Sequence, residues 1–86
     1  MKDLTTLEKR ILIAASELLL EFDSLSRQQI IDKLLTRSSY SADSIYKRML
    51  MMKKVGLLRW PKDSGGEITI TQIGEKWLEL IQDEDI

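Results

Sequence analysis

The side chains that carry out most enzyme chemistry are missing from this chain. Its 86 residues include no cysteine and no histidine. This excludes disulfides, thiolate zinc sites, iron–sulfur clusters and cysteine nucleophiles, and it removes both the base of a catalytic triad and the commonest metal ligand. The carboxylates are scattered over helix faces, and Gly65-Gly66 lacks the lysine and helix that follow in a phosphate-binding loop. We predict that the protein is not an enzyme and needs no metal or cofactor.

The remaining chemistry lies in the distribution of charge. Residues 26–62 hold nine basic and two acidic residues, a net charge of +7, whereas residues 1–25 carry −2 and residues 63–86 carry −6. A positive segment between two acidic ends is typical of a nucleic-acid contact. The same charges are explained equally well as the solvated outer faces of helices.

A first helix is predicted over about residues 6–22. Thr5 and Glu8 form a capping-box pattern in front of it. Its apolar residues then recur at spacings of three and four, the helical period. This stripe consists of Leu7, Ile11, Ala14, Leu18 and Phe22.

The opposite side of this helix is also apolar. A helix that is apolar nearly all round is either deeply buried or shared with a second subunit. Because an 86-residue domain has few places to bury it, the sequence favours a homodimer. The predicted interface residues are Leu12, Ile13, Leu19 and Leu20, together with Leu78 of the last helix.

Two further capped helices follow, joined by a short polar turn at residues 37–39. Ser26 and Gln29 form a second capping box, and this helix should fade near Thr36. Ser41 caps the third helix, about residues 42–55, which Gly56 ends. Two capped helices around a short turn indicate a helix-turn-helix.

The third helix has two distinct faces. Ile45, Met49 and Met52 share one face, which we predict to be core. The opposite face carries Lys47, Leu50 and Lys54, flanked by Ser44, Tyr46 and Met51. Leu50 and Met51 lie outside the core stripe, so they must contact a neighbour, a partner or the thymine methyls of a major groove. Asp43 at the start of the helix suits the helix dipole but repels phosphate.

After Gly56 the period of the apolar residues changes from 3.6 to 2. Leu58 and Trp60 alternate with their neighbours, and so do Ile68 and Ile70, which predicts two short strands joined as a β-hairpin by the glycine-containing loop between them. Thr71 should cap a final helix. Its predicted apolar stripe is Ile73, Trp77, Leu80 and Ile81.

The order helix, helix, turn, helix, hairpin, helix resembles the winged helix-turn-helix domain of small bacterial and archaeal transcription regulators. The resemblance covers residues 4–82. It is carried in the first two helices by Leu4-Thr5 with Glu8 and Ile11-Leu12, and by Leu25-Ser26 with Ile30 and Leu34. From the third helix onward it is carried by Ser41, Ile45, Met49, Met52, Gly56-Leu57-Leu58, Ile68-Thr69-Ile70-Thr71 and Gly74. The implied fold is mainly α with a small β-hairpin: a three-helix core, a two-stranded wing at about residues 57–71 and a C-terminal helix, in one domain over residues 1–86.

In that family the third helix enters the major groove and the wing lies along the backbone or minor groove. The resemblance therefore implies sequence-specific binding of double-stranded DNA. The implied base-reading residues are Ser44, Tyr46, Lys47 and Met51. The implied phosphate contacts are Arg27, Gln28, Arg48, Lys53, Lys54, Arg59 and Lys62.

A second function stays open, because winged helices also serve as protein-interaction modules within larger transcription, replication or chromosome-organising assemblies. No small-molecule effector is indicated. The longest nearly uncharged apolar stretch, residues 11–20, is too short for a membrane span, and the first residues do not fit a secretory signal. We therefore expect a cytoplasmic protein.

Overall fold

Four helices and one antiparallel pair of short strands make up the fold. The computed structural model describes residues 4–37, 39–61 and 67–81. The helices and strands are α1 (Thr6–Glu21), α2 (Arg27–Leu35), α3 (Ala42–Lys54), β1 (Leu58–Arg59), β2 (Thr69–Ile70) and α4 (Gln72–Ile81). The prediction of a mainly helical fold with a small two-stranded sheet is confirmed.

Side-chain caps begin the first three helices as predicted. The Thr5 hydroxyl accepts a hydrogen bond from the Glu8 N–H at 3.2 Å, and the Glu8 carboxylate accepts one from the Thr5 N–H at 2.8 Å. Ser26 and Gln29 form the same reciprocal pair at α2. At α3 the Ser41 hydroxyl accepts from the Ser44 N–H at 3.1 Å. These contacts satisfy backbone donors that a helix leaves unpaired at its start.

Gly56 ends α3 and turns the chain directly into β1. Its φ of +88° lies in the left-handed region that side chains disfavour. The Leu57 N–H donates to the Met52 carbonyl at 2.9 Å and the Gly56 N–H donates to the Lys53 carbonyl at 3.2 Å. This is the Schellman arrangement, and Leu57 and Met52 are both buried beside it. The turn therefore fixes where the hairpin leaves α3.

The core lies between α1 and the other elements. Helix α1 packs against α2, α3, α4 and β2, so it has neighbours on several sides within one chain. Leu12, predicted as an interface residue, is completely buried in this core. That prediction was wrong because the second apolar stripe of α1 is partly covered by α4 and β2. Phe22, predicted as core, is instead the exposed C-cap residue of α1.

Helix α4 presents a different face to the core from the one predicted. Gly74, Leu78 and Ile81, at spacings of four and three, are its buried residues. Leu78, predicted at a dimer interface, is only 7% exposed, whereas Ile73 and Leu80, predicted as core, are exposed. The glycine explains the difference. An added Cβ at Gly74 would collide with the Leu57 carbonyl oxygen, so this bare side of α4 is the one that approaches the hairpin.

The two strands pair antiparallel over two residues each. Leu58 pairs with Ile70, and Arg59 pairs with Thr69. The paired stretch is therefore shorter than the alternating pattern of the sequence predicts. Leu57, Leu58 and Trp60 are all buried, so only Arg59 points outward in this stretch.

Thr71 joins β2 to α4 and to the end of α3. Its hydroxyl accepts from the Gly74 N–H at 3.0 Å, as predicted for a cap, and lies within hydrogen-bond distance of the Gly56 and Leu57 carbonyls. The hairpin is therefore anchored between α3 and α4. Among the described residues, no helix is long and apolar enough to cross a bilayer.

Candidate nucleic-acid interface

The outer face of α3, defined here as Asp43, Lys47 and Lys54, lies opposite its buried stripe. Ile45, Met49 and Met52 are completely buried, as predicted from the period of the sequence. The Lys47 and Asp43 side chains are 73% and 72% exposed, and their charged atoms, Nζ and Oδ2, are 3.1 Å apart. Lys47, the one basic residue predicted to read a base, is therefore paired with a carboxylate one helical turn earlier.

One side of this outer face borders an open groove between α3 and the start of α1. The groove has a volume of about 550 Å³ and is lined by Leu7, Tyr40, Ser44, Lys47, Arg48 and Met51. Three of the four predicted base-reading residues, Ser44, Lys47 and Met51, thus lie together. Arg48, assigned to phosphate from the sequence, lines the same groove. The groove combines two cations with apolar walls.

The fourth predicted base-reading residue, Tyr46, lies on the other side of α3. Its ring is half-buried and meets the Trp60 ring edge to face, with centroids 5.9 Å apart. The Arg27 guanidinium lies 5.1 Å from the Tyr46 ring centroid, and the Lys53 ammonium lies 5.6 Å from that of Trp60. We call these four residues the cation–aromatic cluster. It joins the first turn of α2, the end of α3 and the residue after β1.

The cluster holds two cations in defined positions. A cation over an aromatic face is attracted by the ring quadrupole, and the ring contact restricts a side chain that otherwise samples many rotamers. Trp60 itself is buried, and its indole Nε1 has no hydrogen-bond partner among the residues that the structure describes. Sequence reasoning counted Trp60 only as a strand residue. Its contacts with Tyr46 and Lys53 could not be predicted from the sequence, because they depend on how the chain after β1 packs against α3.

The other predicted phosphate contacts are spread around α3. Gln28, Lys54 and Arg59 are exposed, on the first turn of α2, the last turn of α3 and β1. The Gln28 amide donates to the Asp32 carboxylate at 2.8 Å, so part of its donor capacity is used within α2. Lys62 lies outside the described residues.

Part of the positive charge of residues 26–62 serves the fold instead. Lys33 Nζ and Arg37 Nη1 lie 3.9 and 3.3 Å from Glu17 Oε1 of α1. These two cations join α2 and the following turn to α1. Lys33, whose side chain is only 14% exposed, and Arg37 are therefore used within the fold, whereas Arg48, Lys54 and Arg59 lie around α3.

The predicted dimer residues separate into three groups by exposure. Leu12 and Leu78 are buried within the chain, as described above. Ile13 and Leu19 are half-buried and pack against the core, and Leu20 is 90% exposed. Of the five, Leu20 alone presents nearly its whole side chain to a second molecule.

Sequence reasoning missed two features of this region. The Asp43–Lys47 ion pair is recognisable from its spacing of four residues, with the acid first. The groove contributions of Leu7 and Tyr40 are not, because they depend on how α1 crosses α3. Within residues 4–37, 39–61 and 67–81, no group of three carboxylates lies close enough to hold a metal ion.

We compared the chain with family models, curated protein sequences and solved structures, and no match was found. The candidate site is therefore described from the positions of its residues alone. It consists of the outer face of α3, the groove on one side of it and the cation–aromatic cluster on the other.

Proposed function

We propose that this protein is a winged helix-turn-helix transcription regulator that binds double-stranded DNA sequence-specifically. In this proposal α3 enters the major groove, and the β1–β2 hairpin is the wing that lies along the backbone. The observation that carries the proposal is the charge around α3. Lys47 and Lys54 are exposed on its outer face, and Arg27 and Lys53 flank it on the cation–aromatic cluster.

The arrangement of elements supports this use of α3. Helix α2 starts with Arg27 beside Tyr46 of α3, so the two helices present neighbouring cations. Arg59 is the outward residue of β1, which directly follows α3. Helix-turn-helix proteins contact backbone phosphates on both sides of the helix that reads the bases.

The proposed roles follow the geometry on the two sides of α3. Ser44, Lys47 and Met51 contact base edges from the groove side, with Arg48 beside them. Met51 offers an apolar contact for a thymine methyl. Tyr46, whose ring supports Arg27, contacts bases or phosphates with its hydroxyl at the rim of the interface.

Titration of duplex DNA at two or more salt concentrations tests the proposal. Neutralising each phosphate makes log K fall by about 0.9 per unit of log salt, so several contacts should give a steep slope. Poly-glutamate at equal charge concentration is the control for non-specific attraction. Absence of duplex binding at low ionic strength contradicts the proposal.

The protein is further proposed to act as a homodimer in which Leu20 of α1 contacts the partner. Two-fold symmetry then places the two α3 helices about 34 Å apart, one turn of DNA, on a pseudo-palindromic site. Leu20 supports this assignment because it is a large apolar side chain exposed at the end of α1.

A second candidate function, a protein-interaction module in a larger assembly, is favoured by the outer side of α4. Ile73 and Leu80 lie seven residues apart on this side with Trp77 between them, and Leu80 is 63% exposed. Val55 is also exposed, next to Gly56, which lies close to Ile73. Exposed apolar side chains of this kind suit a protein partner better than DNA. Binding of a protein with no binding of duplex DNA supports this candidate.

A further inference from the structure

Asp43 and Lys47 place an acceptor and a donor side by side on an exposed part of α3. Asp43 Oδ2 and Lys47 Nζ are 3.1 Å apart, and both side chains extend into solvent. An ionised carboxylate only accepts hydrogen bonds and an ammonium only donates them. The pair therefore presents a hydrogen-bond acceptor and a hydrogen-bond donor that are separated by the length of one hydrogen bond.

A base pair presents the complementary arrangement in the major groove. In a G·C pair the guanine O6 accepts and the cytosine N4 donates, and these two atoms are hydrogen-bonded to each other at about 2.9 Å. That separation matches the distance between Asp43 Oδ2 and Lys47 Nζ, 3.1 Å. Lys47 facing guanine and Asp43 facing cytosine would complete a ring of four polar groups.

An A·T pair also carries a donor beside an acceptor, but its neighbouring groups oppose this pair of side chains. The adenine N6 donor lies next to N7, an acceptor that repels a carboxylate. The thymine O4 acceptor lies next to the C5 methyl, which obstructs an ammonium. In a G·C pair, by contrast, the guanine N7 offers Lys47 a second acceptor, and cytosine itself carries no acceptor beside N4 in the major groove.

The fold has little need for this carboxylate. Asp43 lies in the first turn of α3, where a negative charge is only mildly favourable, and an exposed ion pair of this spacing contributes little stability. Beside phosphates the same charge is unfavourable. A hydrogen bond from a base donor to the Asp43 carboxylate would offset this repulsion by the phosphates.

Resting on the proposed DNA binding, we infer that Asp43 and Lys47 together read one G·C base pair, with Asp43 accepting from cytosine N4 and Lys47 donating to guanine. Asp43 is then a determinant of specificity and lowers affinity for all other sequences. The substrate class is duplex DNA that contains an essential G·C pair at one fixed position of the recognised site.

Selection from a randomised duplex library tests this inference, using the wild-type protein and Asp43→Asn. The wild type should enrich one position for cytosine opposite guanine. Asparagine pairs best with adenine, so Asp43→Asn should change the preference at that position from cytosine to adenine. Discrimination of cytosine from adenine there should fall at least about fivefold. Glu79→Gln, at an exposed position of α4, makes the same change in net charge and is the control.

The outcomes separate the two levels of the hypothesis. If Asp43→Asn raises affinity for every duplex equally and leaves all base preferences intact, Asp43 only repels phosphate and the inference is wrong, while the proposed DNA binding stands. Enrichment of sites that lack a G·C pair at any fixed position also overturns it. If the wild type binds no duplex at low salt, the proposed function fails and this inference fails with it.

Discussion

At the scale of single residues, the two sides of α3 follow different rules. The periodicity of a helix determines that Lys47 points away from Ile45, Met49 and Met52, and the structure agrees. Periodicity alone also groups Tyr46 with the outward residues. The structure instead turns the Tyr46 ring onto Trp60, a residue fourteen positions later. A side chain near the edge of a helical face is directed by its neighbours in space.

Lys47→Ala should leave the fold almost unchanged and impair recognition. The side chain is largely exposed, so the free energy of unfolding should change by no more than about 0.5 kcal/mol. If Lys47 donates to guanine, the binding free energy for the preferred site should become less favourable by about 1–3 kcal/mol. The loss on random duplex should be much smaller. Thermal denaturation and titrations on both duplexes measure the two effects.

Lys76→Ala, an exposed lysine on α4, is the matched control for the loss of one positive charge. Equal losses on the preferred and random duplexes would reassign Lys47 to a phosphate contact.

At the scale of elements, close packing of α4 on the hairpin depends on one missing side chain. The carbonyl oxygen of Leu57 occupies the space beside Gly74, and the Ile70 Cγ2 would lie only 2.7 Å from an added Cβ. Both belong to the chain segments that Thr71 ties together. The contact between α4, β1 and β2 is therefore too tight to accept a methyl group.

Gly74→Ala should destabilise the fold although alanine is the better helix former. Helix propensity favours the change by about 1 kcal/mol. The collision with a backbone carbonyl cannot be relieved by a rotamer change, and overpacking of this kind costs roughly 1–3 kcal/mol or more. Because the obstacle is backbone, we expect a cost at the upper end of this range, hence a net loss of about 2 kcal/mol and a fall in Tm of roughly 8–16 °C by circular dichroism.

Glu79→Ala, at an exposed position of the same helix, should leave Tm nearly constant and serves as the control. An unchanged or raised Tm for Gly74→Ala would mean that α4 can shift away from the hairpin.

Substitution of Arg59 tests whether the hairpin contacts DNA. It is the outward residue of β1, so Arg59→Ala should barely affect folding. If Arg59 contacts a phosphate, affinity should fall about equally on every duplex, and the slope of log K against log salt should become shallower by about 1 at most. The double change with Lys62→Ala should double the effect on the slope. Unchanged affinity and slope would indicate that the hairpin points away from DNA.

At the scale of the whole molecule, charge and apolar surface are distributed unequally. The net charge of −1 conceals a +7 segment, of which Lys33 and Arg37 bind α1 while Arg48, Lys54 and Arg59 surround α3. Large apolar side chains are exposed at the end of α1 and on the outer side of α4. Both features are consistent with a molecule that meets DNA on one surface and another protein chain elsewhere.

Leu20→Glu should convert the proposed dimer into a monomer without unfolding it. Leu20 is 90% exposed, so the substitution does not place a charge in the core. Sedimentation at high micromolar concentration should give twice 10.0 kDa for the wild type and 10.0 kDa for the variant. Leu80→Glu on α4 is the comparison, and it should remain dimeric. A monomeric wild type would remove the dimer proposal, and dissociation by Leu80→Glu alone would place the interface on α4.

The features that the sequence by itself determined are those whose partners lie within about five positions. The Thr5–Glu8 and Ser26–Gln29 capping boxes, the left-handed Gly56 and the buried stripe of α3 all belong to this group, because one helical turn brings such residues together whatever the rest of the chain does. The buried face of α4, the burial of Leu12 and the orientation of Tyr46 depended on contacts between segments far apart in the chain. Two apolar stripes on α4 and two on α1 were equally compatible with helical periodicity. Only the close approach of Gly74 to Leu57 decided which side of α4 is buried, and only the packing of α1 against α4 and β2 decided that Leu12 is buried as well.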